Sequence, residues 1–137
     1  MEEKIIQIEA VKGNLLEVLG SVEEYYEEAG CPIKTQMQIN IAVEEIFVNI
    51  ASYAYAPETG SVRIRLQAVK DPARALITFE DSGVPYDPLA KEDPDVTLSA
   101  EERKIGGLGI YMVKQSMDHV RYEYKDGKNI LTLEKEF

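Results

Sequence analysis

The sequence predicts an α/β (α+β) fold, a two-layer sandwich in which a mixed, mostly antiparallel sheet is covered by helices on one face. Three observations predict it. Strand-like segments, several of them alternating between apolar and polar residues, occur at the start, middle and end of the chain. Apolar residues at helical spacing occupy the segments between them. The resulting order of strand, two helices, two strands, loop, helix and hairpin fits a sheet with one helical layer. With 137 residues, we expect a single domain over residues 1–137.

The first half of the chain predicts one strand and two helices. "KIIQIEAV", from Lys4 to Val11, has the density of Ile and Val that is typical of a strand. "NLLEVLGSVEEYYEEAG" repeats apolar residues at helical spacing and ends at Gly30, a helix stop signal. A second helix is predicted from about Lys34 to Ala54, because no Gly or Pro interrupts it. Since this helix is apolar nearly all round, we expect it to be central and buried.

The second half predicts two paired strands, a lid, a helix and a hairpin. "SVRIRLQAV" and "ARALITFED" read as neighbouring strands joined by the turn "KDPA". Residues from about 84 to 105 contain three prolines and mixed charge, a length that suggests a functional lid. Within it, "SAEE" predicts a short helix around Ser99 to Arg103. "GGLGIYMVKQSMDH" predicts a helix, and two alternating segments flank an Asp126-Gly127 turn.

The composition excludes several classes of function. Lys and Arg total 15 against 25 Asp and Glu, so the net charge of -10 argues against direct binding of nucleic acid. No segment approaches the roughly 20 apolar residues of a membrane span, and the N-terminus does not resemble a signal peptide. We therefore expect a cytoplasmic protein without membrane contact. One Cys and one His leave little for a zinc site, so any metal should be oxygen-bound, such as magnesium.

The second predicted helix carries the first candidate site residues. Glu45 and Asn49 are four residues apart and therefore lie on one stripe of the helix. A carboxylate and an amide on an apolar helix need partners, because unpaired burial costs several kcal/mol. The pair is either a satisfied structural contact or part of a functional site.

Asp81 and Gly83 form the second candidate group. Asp81 ends an apolar strand and Gly83 follows in a tight turn, which holds a carboxylate at the mouth of the turn. Such a carboxylate can accept a hydrogen bond from the amino group of a purine, while the glycine lets the ring approach the backbone. The alternative is an ordinary Asx turn at the end of a strand.

Three glycines form the third group, at the start of the predicted third helix. Without Cβ atoms, Gly106, Gly107 and Gly109 let backbone N–H groups and the positive helix end face a polyphosphate. The alternative is a hinge or a closely packed helix start. The segment is not a Walker A loop, because no Gly-Lys-Ser/Thr follows.

The combination of these groups and their order resembles the GHKL ATP-binding family of gyrase, a heat-shock chaperone, histidine kinases and mismatch-repair proteins. Within that family it is most similar to bacterial anti-sigma factor serine/threonine kinases. "AVEEIFVN", "DSGVPYDP" and "IGGLGI" resemble the family's N box and its two glycine boxes. The resemblance covers nearly the whole chain and implies the Bergerat ATP-binding fold, with ATP and Mg²⁺ as cofactors.

The resemblance also implies roles for individual residues. Asn49 would coordinate magnesium and Glu45 would act as general base. Asp81 would bond the adenine amino group, with Gly83 beneath the ring. The remaining candidates for nucleotide binding, by the same resemblance, are Arg103, Lys104, Gly106, Gly107, Gly109 and Thr132.

The resemblance implies a protein kinase that phosphorylates a small anti-anti-sigma (STAS-type) protein, possibly also a sigma-factor ligand, and that forms a homodimer. An alternative is a nucleotide-dependent binding module that sequesters a sigma factor or another regulator without catalysis. The third reading is an acidic domain with this fold that binds no nucleotide.

Overall fold

The structure is a computed structural model that describes residues 1–90 and 107–137. Five strands form one sheet in the order β1-β2-β3-β5-β4, and every neighbouring pair is antiparallel. The predicted two-layer fold is confirmed, with a sheet that is antiparallel throughout its described strands. The elements are β1 (Lys4–Glu9), α1 (Leu15–Glu28), α2 (Ile33–Asn49), β2 (Ser61–Val69), β3 (Arg74–Asp81), α3 (Gly107–Ser116), β4 (His119–Lys125) and β5 (Lys128–Glu136).

The core lies between the helices and one face of the sheet. Alternate residues of β2, β3 and β5 are buried while their neighbours are exposed or half-buried, as expected where only one face is covered. The helices contribute side chains of the opposite layer, among them Val18, Tyr26, Ile39 and Phe47. The strand residues that face them include Ile64, Leu66, Ile77, Phe79 and Leu133.

Local turn chemistry sets several of the element boundaries. Gly30 follows the end of α1 by two residues and has φ of 83°, a backbone conformation that terminates helices, as its position in the sequence predicts. Asp126 and Gly127 both have positive φ and join β4 to β5, which is the turn that a two-residue hairpin requires. β1 ends at Glu9 rather than Val11, where the chain begins to turn: Val11 donates its N–H to Glu9 O at 2.9 Å, and Asn14 donates to Val11 O at 2.9 Å.

The prediction that α2 is central and buried is correct for its inner side, which carries six buried residues, and wrong for its outer side. Its outward side chains are largely exposed: Ile33 at 68%, Met37 at 61% and Ile41 at 54%. The physical reason is the single helical layer, since α2 packs on the sheet with α1 and α3 beside it and nothing described covers its outer side. The predicted helix also does not continue unchanged to Ala54. It widens into a π-helical turn over Ile50–Ala54.

Some sequence predictions fall on residues 91–106, outside the described part of the chain. They are most of the lid, the short helix around Ser99 to Arg103, and the candidate residues Arg103, Lys104 and Gly106. Of the lid, residues 84–90 are described and include a short 3-10 turn at Pro88–Ala90. Among the helices of the described ranges, none combines the length and the apolar character needed to cross a membrane.

Candidate functional site

A pocket opens at one end of the sheet, between the C-terminal part of α2, the segment after β3 and the start of α3. Its cavity of about 130 Å³ far exceeds the about 10–15 Å³ that one water requires. Most of its wall is apolar or aromatic, with a few polar groups placed among them, as in small-molecule sites. Its lining includes Ile46, Asn49, Ile50, Tyr53, Phe79, Asp81, Val84, Tyr86, Ile110, Tyr122, Asn129 and Leu131.

Asp81 is the carboxylate of this pocket. It ends β3 and is only 7% exposed. Its Oδ1 accepts hydrogen bonds from Gly83 N at 2.9 Å and from Asn129 Nδ2 at 3.0 Å. Within residues 1–90 and 107–137, no hydrogen bond reaches Oδ2. The Asx turn therefore exists, and it leaves one carboxylate oxygen for a donor inside the pocket.

Asn129, which was not predicted from the sequence, connects Asp81 to the segment after β3 by hydrogen bonds. We call this end of the pocket the Asp81 corner. Its Nδ2 donates to Asp81 and to Val84 O at 2.9 Å. Its Oδ1 accepts from Tyr86 N at 3.1 Å and from the Tyr122 hydroxyl. A signal was present in the sequence, because Asn129 is a polar residue in the alternating series of β5 that continues with the apolar Leu131 and Leu133.

The structure does not bring Thr132 to the pocket. Thr132 lies on the opposite face of the sheet, where its hydroxyl is 3.4 Å from that of Thr78 on the neighbouring strand. The reason is the alternation of side chains along a strand, since Leu131 and Asn129 face inward and residue 132 must face outward. The register of β5 thus places Asn129 beside Asp81.

Asn49 lines the pocket from the last turn of α2. Its Nδ2 is buried and has no hydrogen-bond partner among the residues that the structure describes. An unpaired buried amide costs about 1–3 kcal/mol, so the group points to a ligand atom. Because the two ends of an amide can exchange by a flip, Asn49 can offer either a donor or a carbonyl oxygen.

Glu45 lies one turn before Asn49, against the start of α3. A Cβ at Gly109 would come within 1.8 Å of Glu45 Oε1, so the carboxylate occupies the space that this glycine leaves open. Burial, and secondly the Glu44 carboxylate, raise the pKa of Glu45 above its ordinary value. In the described ranges the Glu45 side chain makes no hydrogen bond or ion pair, so no structural partner for it lies within residues 1–90 or 107–137.

Close packing against the end of α2 explains why a glycine occupies position 83. A Cβ there would lie 2.2 Å from Ala54 O, in the π-helical turn, and Val84 N donates to the same carbonyl at 2.9 Å. The glycine thus lets the segment after β3 lie directly on the end of α2. This contact forms the corner of the pocket between Asn49 and Asp81.

We expect Gly83→Ala to lower the free energy of unfolding by about 1–3 kcal/mol, because the methyl group meets rigid backbone rather than a mobile side chain. Urea denaturation followed by circular dichroism measures the change. Gly13→Ala is the matched control, since a Cβ at Gly13 meets nothing within 4 Å, and its effect should stay within about 0.5 kcal/mol. Equal stability of the two variants would contradict this account of Gly83.

The third helix starts beside this corner. Gly107 is its first residue and Ile110 lines the pocket, so the N-terminal end of α3 lies near the site. That position suits an anion, because N–H groups at a helix start lack intrahelical partners. The phosphate role of Gly107 and Gly109 remains a prediction.

Comparisons with known proteins agree with this geometry. Residues 8–135 match the family profile described as histidine kinase-like ATPase domain. The chain is 26% identical over 101 residues to the serine/threonine-protein kinase BtrW of Bordetella bronchiseptica, covering 73% of this chain and 70% of the relative. It is 26% identical over 108 residues to the serine-protein kinase RsbW of Listeria monocytogenes, covering 75% and 68%.

A solved structure resembles the fold over nearly the whole chain. It is the crystal structure of the RsbU and RsbW domains of a Mycobacterium tuberculosis protein, with a TM-score of 0.71 at 15% identity. The match covers 98% of this chain and 32% of the mycobacterial chain. At that identity the similarity concerns the fold alone.

Proposed function

The chain belongs to the histidine kinase-like ATPase domain family, and from this premise we propose that it is an Mg²⁺-ATP-dependent serine/threonine-protein kinase. Its proposed substrate is a small anti-anti-sigma (STAS-type) protein. The observation that carries the proposal is one pocket that contains both the Asp81 carboxylate, of which one oxygen has no partner among the described residues, and the buried Asn49 amide, whose Nδ2 has none there either. The relatives that are named as serine and serine/threonine kinases support it.

Adenine recognition is assigned to the Asp81 corner. Oδ2 can accept a hydrogen bond from the exocyclic amino group, while the bonds from Gly83 and Asn129 hold Oδ1 in place. The apolar walls, among them Ile46 and Leu131, suit the faces of a flat ring. A carboxylate fixed in this way discriminates strongly, because a base without the amino group leaves it unpaired.

The phosphate end is assigned to Asn49. Magnesium prefers oxygen ligands and keeps several waters, and it is commonly held by one or two side chains plus phosphate oxygens. The carbonyl oxygen of Asn49 fits this pattern. The described residues contain no cluster of three or more His, Cys, Asp or Glu that could hold a metal without the nucleotide. When bound, the ion neutralises charge on the phosphate oxygens.

Glu45 is assigned as the group that receives the proton of the attacking hydroxyl. A raised pKa makes a carboxylate a stronger base, and burial against Gly109 holds it in place. Phosphoryl transfer requires mainly positioning and charge stabilisation from the protein.

We expect Glu45→Gln to reduce phosphoryl transfer to an anti-anti-sigma protein of the same organism by about 10²–10⁴-fold while ATP still binds. Because Glu45 acts only when ionised, the wild-type rate should fall as the pH drops through its raised pKa, above the ordinary value of about 4.3. Initial rates across pH, with calorimetric titration of ATP, measure both effects. This decrease in rate at low pH should be absent from the residual activity of Glu45→Gln.

The same experiment separates the alternative function. Tight ATP binding without transfer to any anti-anti-sigma protein, and with no effect of Glu45→Gln, would contradict the kinase. The observation that supports the module is then ATP binding without any transfer, since ATP binding that survives Glu45→Gln is expected under both functions. The remaining function would be a nucleotide-dependent module that sequesters a sigma factor or another regulator.

A further inference from the structure

An apolar stripe runs along the outer side of the helical layer. Ile33, Met37 and Ile41 are spaced by four residues on α2, and each is more than half exposed. We call these three residues the α2 stripe. Contiguous apolar side chains at helical spacing are unusual on a solvated surface, and they commonly mark a contact with another protein.

An acidic ridge on α1 borders this stripe. Leu16, Gly20, Glu23 and Glu27 are spaced by four, three and four residues, so they lie on one face of α1, and all four are exposed. We call them the α1 ridge. Asn40 Nδ2 on α2 donates to Glu23 Oε1 at 2.6 Å, which fixes the ridge directly beside the stripe. Leu16, 83% exposed, adds an apolar residue at one end.

Gly20 interrupts the ridge in the middle of α1. Glycine inside a helix costs about 1 kcal/mol relative to alanine. A Cβ at Gly20 would meet nothing within 4 Å, so no packing within the described residues requires a glycine there. The missing side chain leaves the ridge lower at Gly20 than at Glu23, so a second backbone can approach α1 closely there. We call the surface between the α1 ridge and the α2 stripe the groove.

We infer that this groove binds an amphipathic helix of a partner protein, with its apolar face on the α2 stripe and lysines or arginines facing the glutamates of the α1 ridge. An amphipathic helix in an apolar groove is a recurrent mode of recognition. The basic flank follows from charge complementarity. A second copy of this chain fits poorly, since it would bring the same glutamates into a protein of net charge -10. The inference does not depend on the nucleotide pocket.

The test uses a labelled Leu-Lys amphipathic peptide of about 18 residues, roughly five helical turns, in a fluorescence anisotropy titration of the full chain. A peptide with the same leucines and with Glu in place of Lys is the matched probe. We expect the Leu-Lys peptide to bind and the Leu-Glu peptide not to bind. Met37→Glu and Gly20→Phe should each weaken binding by about tenfold or more, because one charges the stripe and the other fills the groove.

Controls separate the groove from general attraction to an acidic protein. Glu58→Lys makes a charge change at an exposed position outside the helical layer and should leave the affinity nearly unchanged, whereas Glu23→Lys should weaken it. Gly20→Ala should keep the fold and stabilise α1. Equal binding of both peptides, or binding that Met37→Glu and Gly20→Phe do not weaken, overturns the inference. A dimer in sedimentation velocity that Met37→Glu converts to monomer overturns it as well, in favour of a second copy.

Discussion

Asp81→Asn is expected to weaken ATP binding by at least about 10–100-fold, the size expected for a lost hydrogen bond to a charged group. The substitution should leave the fold intact. An asparagine can still accept from Gly83 N and Asn129 Nδ2 through its carbonyl oxygen. Its other end then carries N–H groups where Oδ2 stood, so two donors face each other at the adenine amino group. Calorimetric titration of ATP with magnesium measures the loss.

Two controls define this result. Thr132→Val changes a polar residue on the same sheet, on the face away from the pocket, and should leave ATP affinity unchanged. Asp81→Asn should also lose its preference for ATP over a nucleotide that lacks the exocyclic amino group. Full ATP affinity in Asp81→Asn would contradict the assignment of the adenine site to Asp81. Absence of ATP binding by the wild type would contradict both the kinase and the nucleotide-dependent module.

Gly109→Ala is expected to lower phosphoryl transfer by about 10²-fold, because the added methyl displaces the carboxylate of Glu45. Glycine-to-alanine replacement within a helix favours the helix, so thermal stability should not decrease. ATP affinity should change little, since the role proposed for Glu45 is to accept the proton of the attacking hydroxyl and not to bind the nucleotide. Steady-state rates and calorimetry on the same samples test the separation of turnover from binding.

A double-mutant cycle shows whether Gly109 acts through Glu45. If it does, Gly109→Ala should have little further effect in the Glu45→Gln background, because the displaced group is already inactive. An equal loss in both backgrounds would mean that Gly109 acts independently, for example by bringing backbone amides to the phosphates. The cycle therefore distinguishes a glycine that makes room for the base from one that binds the nucleotide directly.

The architecture followed closely from local patterns. The alternation in "SVRIRLQAV" and in the last hairpin identifies which strand residues are buried, since a period of two reflects the two faces of a sheet. Gly30 and Asp126-Gly127 mark their turns through backbone conformations that few residues adopt. The strand order, with β5 between β3 and β4, appeared only in the assembled sheet, because pairing joins segments far apart in sequence.

The candidate site was also predicted only in part from the sequence. Asp81 and Asn49 were identified from their own segments and do line one pocket. Thr132, which the family resemblance implied, lies on the outer face of β5, whereas Asn129, three positions earlier and not predicted, lies on the inner face, because an odd number of positions separates the two faces of a strand. The close contact of Gly83 with Ala54 could not be read from either segment alone.

The sequence by itself determined the helices, the strands, the tight turns and the short polar motifs, because each depends on neighbours within a few residues. Only the tertiary structure decided that Asn129 supports Asp81, that Gly109 makes room for Glu45, and that one side of α2 is left uncovered. These features depend on register and packing between distant segments. A periodic pattern shows that a face is apolar, whereas the positions of the other elements determine what covers it.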